Sequence, residues 1–133
     1  MSESRQNYSA MPHTTLVRLC EYIDAHMEST LTLEELGRVA QYSPFHLARR
    51  FRQATGQTLH QYVTGRRLAK AQALLATTDL PIQQIAAQAG FSDQSHLSNT
   101  FRKAYGCAPS AVRKNLQIAR TDFQDANPKS RYL

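Results

Sequence analysis

An internal repeat restricts the possible folds of this chain more than any other feature of its sequence. Four residues recur 49 positions later in the same or a similar type: Leu36, Ala40, Tyr42 and Ser43 return as Ile85, Ala89, Phe91 and Ser92. Four more recur 50 positions later: Leu47, Phe51, Arg52 and Gly56 return as Leu97, Phe101, Arg102 and Gly106. The second copy therefore has one extra residue near Asp93. Two copies in one register predict two similar supersecondary units.

Each copy has the pattern of a short helix, a tight turn and a second helix. Thr32 and Glu35 form a capping-box pattern at the start of one helix, and Thr58 and Gln61 form another. Ser43 is predicted to cap a helix that ends at Gly56, and Ser92 is predicted to cap its counterpart, which ends at Gly106. Such a helix–turn–helix arrangement is typical of DNA-binding units.

The whole chain is predicted to be all-α, with seven helices. These are expected at about Thr14–Met27, 33–41, 44–55, Thr58–Thr77, from Pro81 to the turn at Gly90–Phe91, from Ser92 to Gly106, and Pro109–Leu116. The predicted organisation is a disordered arm (1–13), a first helix-turn-helix subdomain (14–57), a linker helix (58–78), a second subdomain (79–118) and a flexible tail (119–133). Leu33, Leu36, Val39 and Ala40 are predicted to point inward from the second helix.

The charge distribution favours an anionic partner. The formal net charge is +6, and no acidic residue lies between Glu35 and Asp79 or between Asp93 and Asp122. A solvated helical face would mix both signs, so the segregation points to an electrostatic footprint for nucleic acid. A linker helix of about 20 residues spans roughly 30 Å, which is close to the major-groove repeat of about 34–36 Å. One chain is therefore expected to cover about 20 bp.

Other chemistries are disfavoured. No histidine pair has metal-ligand spacing, and neither a Gly-rich phosphate loop nor a catalytic triad order occurs, so no metal, no cofactor and no enzyme are predicted. Cys20 lies on an apolar stripe and is expected to be buried, whereas Cys107 follows a glycine in a turn. No signal peptide or membrane span is found, so a cytoplasmic protein without a membrane partner is expected.

The second copy closely resembles the signature of the AraC/XylS family of transcriptional regulators. The resemblance rests on Ile85-Ala86, Gly90 through Ser98, Phe101-Arg102, Gly106 and Pro109 through Arg113. The first copy is similar in Tyr42-Ser43, Leu47, Arg49, Phe51 and Gly56, and the linker in Tyr62-Val63, Arg67-Leu68, Ala71 and Leu74-Leu75. No effector domain is expected before residue 14, so the chain resembles the stand-alone MarA/SoxS/Rob group.

The resemblance implies a monomer that binds an asymmetric site through two adjacent major-groove segments and activates transcription by contact with RNA polymerase. The residues expected to face bases are Phe45, His46, Ala48, Arg49, Gln94, Ser95, His96 and Asn99. Those expected to face phosphates are Ser43, Arg52, Arg66, Arg67, Ser92, Arg102 and Lys103. Asn99 stands where the family usually has arginine, and Gln41 stands where the second copy has Gly90. The alternative is a protein-interaction module of the same fold with weak DNA affinity.

Overall fold

The computed structural model describes residues 11–115, which form helices and turns without a strand. The helices are α1 (His13–Ala25), α2 (Leu33–Ala40), α3 (Pro44–Thr55), α4 (Leu59–Thr77), α5 (Ile82–Ala89) and α6 (Gln94–Tyr105). Residues 109–115 form a further helix, α7, at the end of the described range. The predicted all-α class with seven helices is confirmed. The predicted tail and the helix end at Leu116 lie outside the described residues, as do residues 1–10 of the predicted arm.

The chain divides into two compact units between Arg67 and Leu68, within α4. The first half of α4 therefore belongs to the unit formed by α1–α3, and the second half belongs to the unit formed by α5–α7. None of the helices within residues 11–115 has the length and apolar character needed to cross a membrane.

The repeated apolar residues are the core residues of their respective units. Leu36, Leu47 and Phe51 are buried in the first unit, and Ile85, Leu97 and Phe101 are buried in the second. In the second helix of each copy, the buried pair is four residues apart and so lies on one helical face. That face is fixed against the core, so the opposite face is left to solvent. Helix α4 contributes to both cores, through Leu59, Val63, Leu68, Ala71 and Leu75.

Only one of the two predicted capping boxes forms both of its reciprocal hydrogen bonds. At α4, the backbone N–H of Thr58 donates to Gln61 Oε1 at 3.0 Å, and that of Gln61 donates to Thr58 Oγ1 at 3.0 Å. At α2, the N–H of Glu35 donates to Thr32 Oγ1 at 3.0 Å, but the Glu35 carboxylate accepts the hydroxyl of Tyr22 instead. This hydrogen bond raises the pKa of Tyr22. Glu35 thus joins α2 to α1.

The same turn closes the first helix of each copy. The Tyr42 N–H donates to the Gly37 carbonyl at 2.8 Å, and the Phe91 N–H donates to the Ala86 carbonyl at 2.9 Å. Each bond accompanies a left-handed residue, Gln41 (φ 64°) or Gly90 (φ 93°), which is the geometry of a Schellman cap. Gln41 is the only non-glycine residue with positive φ within residues 11–115. Its left-handed conformation costs roughly 1–2 kcal/mol.

Five local expectations need correction. Asp93, in extended backbone, is the N-cap of α6, so the prediction that Ser92 caps this helix is wrong. Leu33 was predicted to point inward, but 41% of its surface is exposed. Helix α1 begins at His13 and ends at Ala25, and Met11 is buried in the core although it was assigned to the loose arm. Cys20 is half-buried rather than fully buried.

Two glycine substitutions are expected to change stability in opposite directions. Gly65→Ala should raise the free energy of unfolding by about 0.5–1 kcal/mol, because alanine has the higher helix propensity and an added Cβ meets nothing within 4 Å. Gly37→Ala should lower it by about 1–3 kcal/mol, since its Cβ would lie 2.5 Å from the Tyr42 carbonyl oxygen. Urea unfolding followed by circular dichroism measures both. A loss of stability in Gly65→Ala would contradict a regular helix at residue 65.

Candidate nucleic-acid interface

Helix α3 presents an exposed face opposite its buried pair. Phe45, Arg49 and Arg52 follow one another at helical spacing along this face, and all three are exposed. Phe45 is 67% exposed, so its ring is accessible to a partner. The Arg49 guanidinium lies over it, 5.8 Å from the ring centroid. This pair combines an apolar surface, which can contact a thymine methyl group, with a donor fork that can read guanine.

Helix α6 presents the equivalent face with different chemistry. Ser95, Asn99 and Arg102 are exposed at the same spacing, and Gln94 and Lys103 are exposed on either side of them. Hydroxyl and amide groups replace the aromatic ring and the guanidinium of the first copy. The two faces can therefore read different base edges.

The first turn of each of these helices contains a histidine whose ring is hydrogen-bonded to a serine. In α3, His46 Nδ1 lies 2.8 Å from Ser43 Oγ, which also accepts the backbone N–H of His46 at 3.3 Å. In α6, one residue accepts the backbone N–H of the histidine and another contacts its ring. Asp93 Oδ1 accepts the backbone N–H of His96 at 2.7 Å, and Ser92 contacts the ring at Nδ1. The extra residue of the second copy makes this division possible.

The structure places the predicted base-facing residues on these exposed helical surfaces, although Ala48 differs in its surroundings. Ala48 is exposed and borders an apolar groove formed with Leu33, Leu59 and Val63. Its methyl group therefore lies beside this groove. Asp93 is a residue that the sequence prediction missed at this surface. Its signal was available, because aspartate caps helices as well as serine does.

Two predicted phosphate contacts are engaged elsewhere in the protein. Arg66 donates to both carboxylate oxygens of Asp24, at 3.0 and 3.1 Å, and the hydrogen bond raises the pKa of Arg66. Arg67 donates through Nε to the Met27 carbonyl at 3.2 Å and through Nη2 to the Ser29 carbonyl at 3.0 Å. Burial lowers the pKa of Arg67. Both guanidinium groups thus tie α4 to α1 and to the loop after it.

Arg113 performs the same task in the second unit. It donates to the carbonyl oxygens of Leu80 and Thr78 and so fixes the α4–α5 loop to α7. In each unit, therefore, an arginine donates to loop carbonyls that lack a helical partner. The remaining basic residues on the two exposed faces are Arg49, Arg52, Arg102 and Lys103. Among the described residues, no group of histidine, cysteine or acidic side chains could hold a metal ion.

Two helix-turn-helix units with exposed polar second helices define a tandem DNA-binding domain. A family model described as a helix-turn-helix domain matches residues 36–115. Regulatory protein SoxS of Salmonella typhimurium is 36% identical over 107 residues, which cover 80% of this chain and 100% of SoxS. Multiple antibiotic resistance protein MarA of the same organism is 32% identical, with 83% of this chain and 84% of MarA covered.

Solved structures agree with this classification. The DNA-binding domain of AdpA, determined in complex with a target DNA, matches with a TM-score of 0.76 at 29% identity over 80% of this chain and 96% of that one. The C-terminal domain of AraT, a response regulator from Geobacillus stearothermophilus, matches with a TM-score of 0.73 at 33% identity over 79% and 87%. The chain belongs to the AraC family of DNA-binding transcriptional regulators.

Neighbouring arginines of α4 are expected to differ in their effect on stability. Arg67→Ala should lower the free energy of unfolding by about 1–3 kcal/mol, because it removes two charge-assisted hydrogen bonds to loop carbonyls. Arg66→Ala should cost less than about 1 kcal/mol, since the side chains of its ion pair are 45% and 42% exposed. Urea unfolding compares the two variants. If Arg67→Ala left stability unchanged and weakened DNA binding, the original prediction that Arg67 contacts a phosphate would be supported instead.

Proposed function

We propose that this chain is a transcriptional activator that binds an asymmetric DNA site as a monomer, through two adjacent major-groove segments. The observation that carries the proposal is the contrast between the two copies. The same buried pair and the same turn support exposed faces of different composition, so two unlike half-sites suit this chain better than a palindrome.

We assign the first half-site to α3 and the second to α6. Arg49 and Phe45 would read the first segment, and Asn99, Gln94 and Ser95 the second. Arg52, Arg102 and Lys103 would contact phosphates, and these contacts would set the register of the protein on the duplex. Ser43 and Ser92 were also predicted to face phosphates, but they are left out because their hydroxyls are hydrogen-bonded to the rings of His46 and His96. Arg66 and Arg67 are left out of this assignment, since their guanidinium groups are bonded to Asp24 and to loop carbonyls.

The family resemblance supports activation through RNA polymerase. Transcription in vitro with purified RNA polymerase tests it, on a promoter with the selected site upstream and on the same promoter with that site scrambled. Stimulation of the first template alone is the expected result. Binding without stimulation on either template would leave a DNA-binding protein that does not activate at that promoter.

Selection of bound duplexes from a random pool tests the mode of DNA binding. The expected product is one asymmetric sequence, and footprinting should protect two neighbouring major-groove segments of it. The logarithm of the binding constant should fall with that of the salt concentration with a slope of about −0.9 per phosphate contact. A shallow slope without any selected sequence would favour the alternative, a protein-interaction module with weak DNA affinity.

Arg49→Ala should weaken binding to the selected site by about 1–3 kcal/mol and relax the base preference in one half of it, because a bidentate arginine–guanine contact is lost. Arg52→Ala is the matched control on the same face. It should weaken binding to all duplexes by a similar factor and reduce the salt slope by about 1. Gel shifts at several salt concentrations measure both variants. Full affinity and unchanged base preference in Arg49→Ala would exclude Arg49 as a base-reading residue.

A further inference from the structure

The two copies share an arrangement at the start of their exposed helices that the fold itself does not require. His46 and His96 occupy equivalent positions, 50 residues apart, and both rings are exposed. In both, Nδ1 is the nitrogen that faces the serine. Within residues 11–115, no hydrogen bond reaches Nε2 of either ring. One ring nitrogen is therefore held by the protein and the other is left for a ligand.

Proton counting fixes the tautomer of His96. The backbone N–H of Ser92 lies 3.2 Å from Nδ1, and a backbone N–H can only donate. Nδ1 must then be the acceptor, so in the neutral ring the proton lies on Nε2. The Ser92 hydroxyl, 3.1 Å from the same nitrogen, can donate as well. A proton on Nδ1 would face the N–H of Ser92 donor to donor.

The geometry at His46 allows the same tautomer, and the equivalent position of His96 favours it. Ser43 Oγ already accepts the backbone N–H of His46. Its own proton is still available for donation, and Nδ1 lies only 2.8 Å away. Donation from the hydroxyl to Nδ1 uses both functions of Ser43 and places the His46 ring proton on Nε2.

We propose that His46 and His96 bind DNA as neutral imidazoles, each with a single outward donor at Nε2–H. This inference rests on the proposed function. Such a donor recognises a hydrogen-bond acceptor and rejects a donor. The acceptor is either a purine edge atom in the major groove, such as guanine N7 or O6, or a phosphate oxygen. The amino groups of adenine and cytosine are excluded as partners.

The two histidines that are hydrogen-bonded to serine contribute to DNA binding in a different way from the basic residues on the same helical faces. A neutral ring releases no counterion, so its contribution should be independent of salt concentration. Arg52 and Arg102, by contrast, contribute charge whatever the sequence. A histidine that donates to a base edge would therefore supply discrimination, and the arginines would supply general affinity.

The tautomer is tested without DNA. Nitrogen-15 spectra of the folded chain should give an unprotonated Nδ1 and a protonated Nε2 for His96 and His46 at pH 7.5. His60 is the internal reference, because it is exposed and makes no hydrogen bond with the described part of the chain. A proton on Nδ1 of His96 at this pH would overturn the proposal, whatever the protein binds.

Two substitutions distinguish the contributions of the two ring nitrogens. Asparagine places its amide near Nδ1 and can still accept from Ser92, whereas glutamine reaches the position of Nε2 and can still donate outward. His96→Asn should therefore weaken binding to the selected site about 3- to 10-fold, with an unchanged salt slope, and His96→Gln should stay within about 2-fold of the wild type. The pair His46→Asn and His46→Gln repeats the test in the first copy.

Modified DNA identifies the acceptor. If it is guanine N7, 7-deazaguanine at one position should weaken the wild type and remove the difference between the asparagine and glutamine variants. If it is guanine O6 or a phosphate oxygen, that difference should persist on every deaza-substituted duplex, and each of these results supports an outward donor. Equal losses in the two variants, or wild-type affinity of the asparagine variant, would overturn the proposal. A wild type that selects no duplex would instead contradict the proposed function, and the tautomer measurement would still stand.

Discussion

The hydrogen bond from Tyr42 or Phe91 back to the helix before it determines the geometry of each unit. It joins residues five apart, at 2.8 Å in the first copy and 2.9 Å in the second, and it requires a left-handed residue just before the donor. The bond ends the first helix and turns the chain toward the second at a fixed angle. The direction of α3 and of α6, and with it the position of every exposed side chain on them, follows from this one turn.

The two copies satisfy this constraint with different residues. The second copy uses Gly90, which adopts the left-handed conformation without strain, and Ala86 as the acceptor. The first copy uses Gln41 and needs Gly37, since the Tyr42 carbonyl oxygen lies 2.5 Å from where a Cβ would be. Glycine is therefore required at a different position of the turn in each copy. The turn is retained although its left-handed residue, its acceptor residue and its donor residue all differ between the copies.

Sequence patterns could predict the fold because its determinants are local. The apolar spacing and the glycines that end α3 and α6 depend on neighbouring residues, and the repeat supplied each of them twice. Predictions were wrong where distant residues compete for the same group. Glu35 satisfies the capping pattern, yet Tyr22, 13 residues earlier, takes its carboxylate. Leu33 has helical spacing, but only the packed structure determines how much of its side chain is covered.

The arginines illustrate the same limit at the candidate interface. Counting basic residues between Glu35 and Asp79 treats all of them as available to phosphate, whereas Arg66 is paired with Asp24 and Arg67 with two carbonyls about 40 residues away. Neither contact leaves a signal in the local sequence. The exposure of residues on the outer side of α3 and α6 could be predicted from the sequence, because the buried pair fixes which side faces solvent.

The chemistry that His46 and His96 present to a ligand also depends on contacts outside the helical pattern. Their position on an exposed face could be predicted from helical spacing, but the chemistry they present could not, since it depends on the atom that holds the other side of the ring. In the second copy, one inserted residue separates the cap, Asp93, from the serine that contacts the ring. The insertion therefore preserves the Ser–His contact while changing the cap from a hydroxyl to a carboxylate. Since a carboxylate repels phosphate, the start of α6 suits an approach to a base edge better than the start of α3 does.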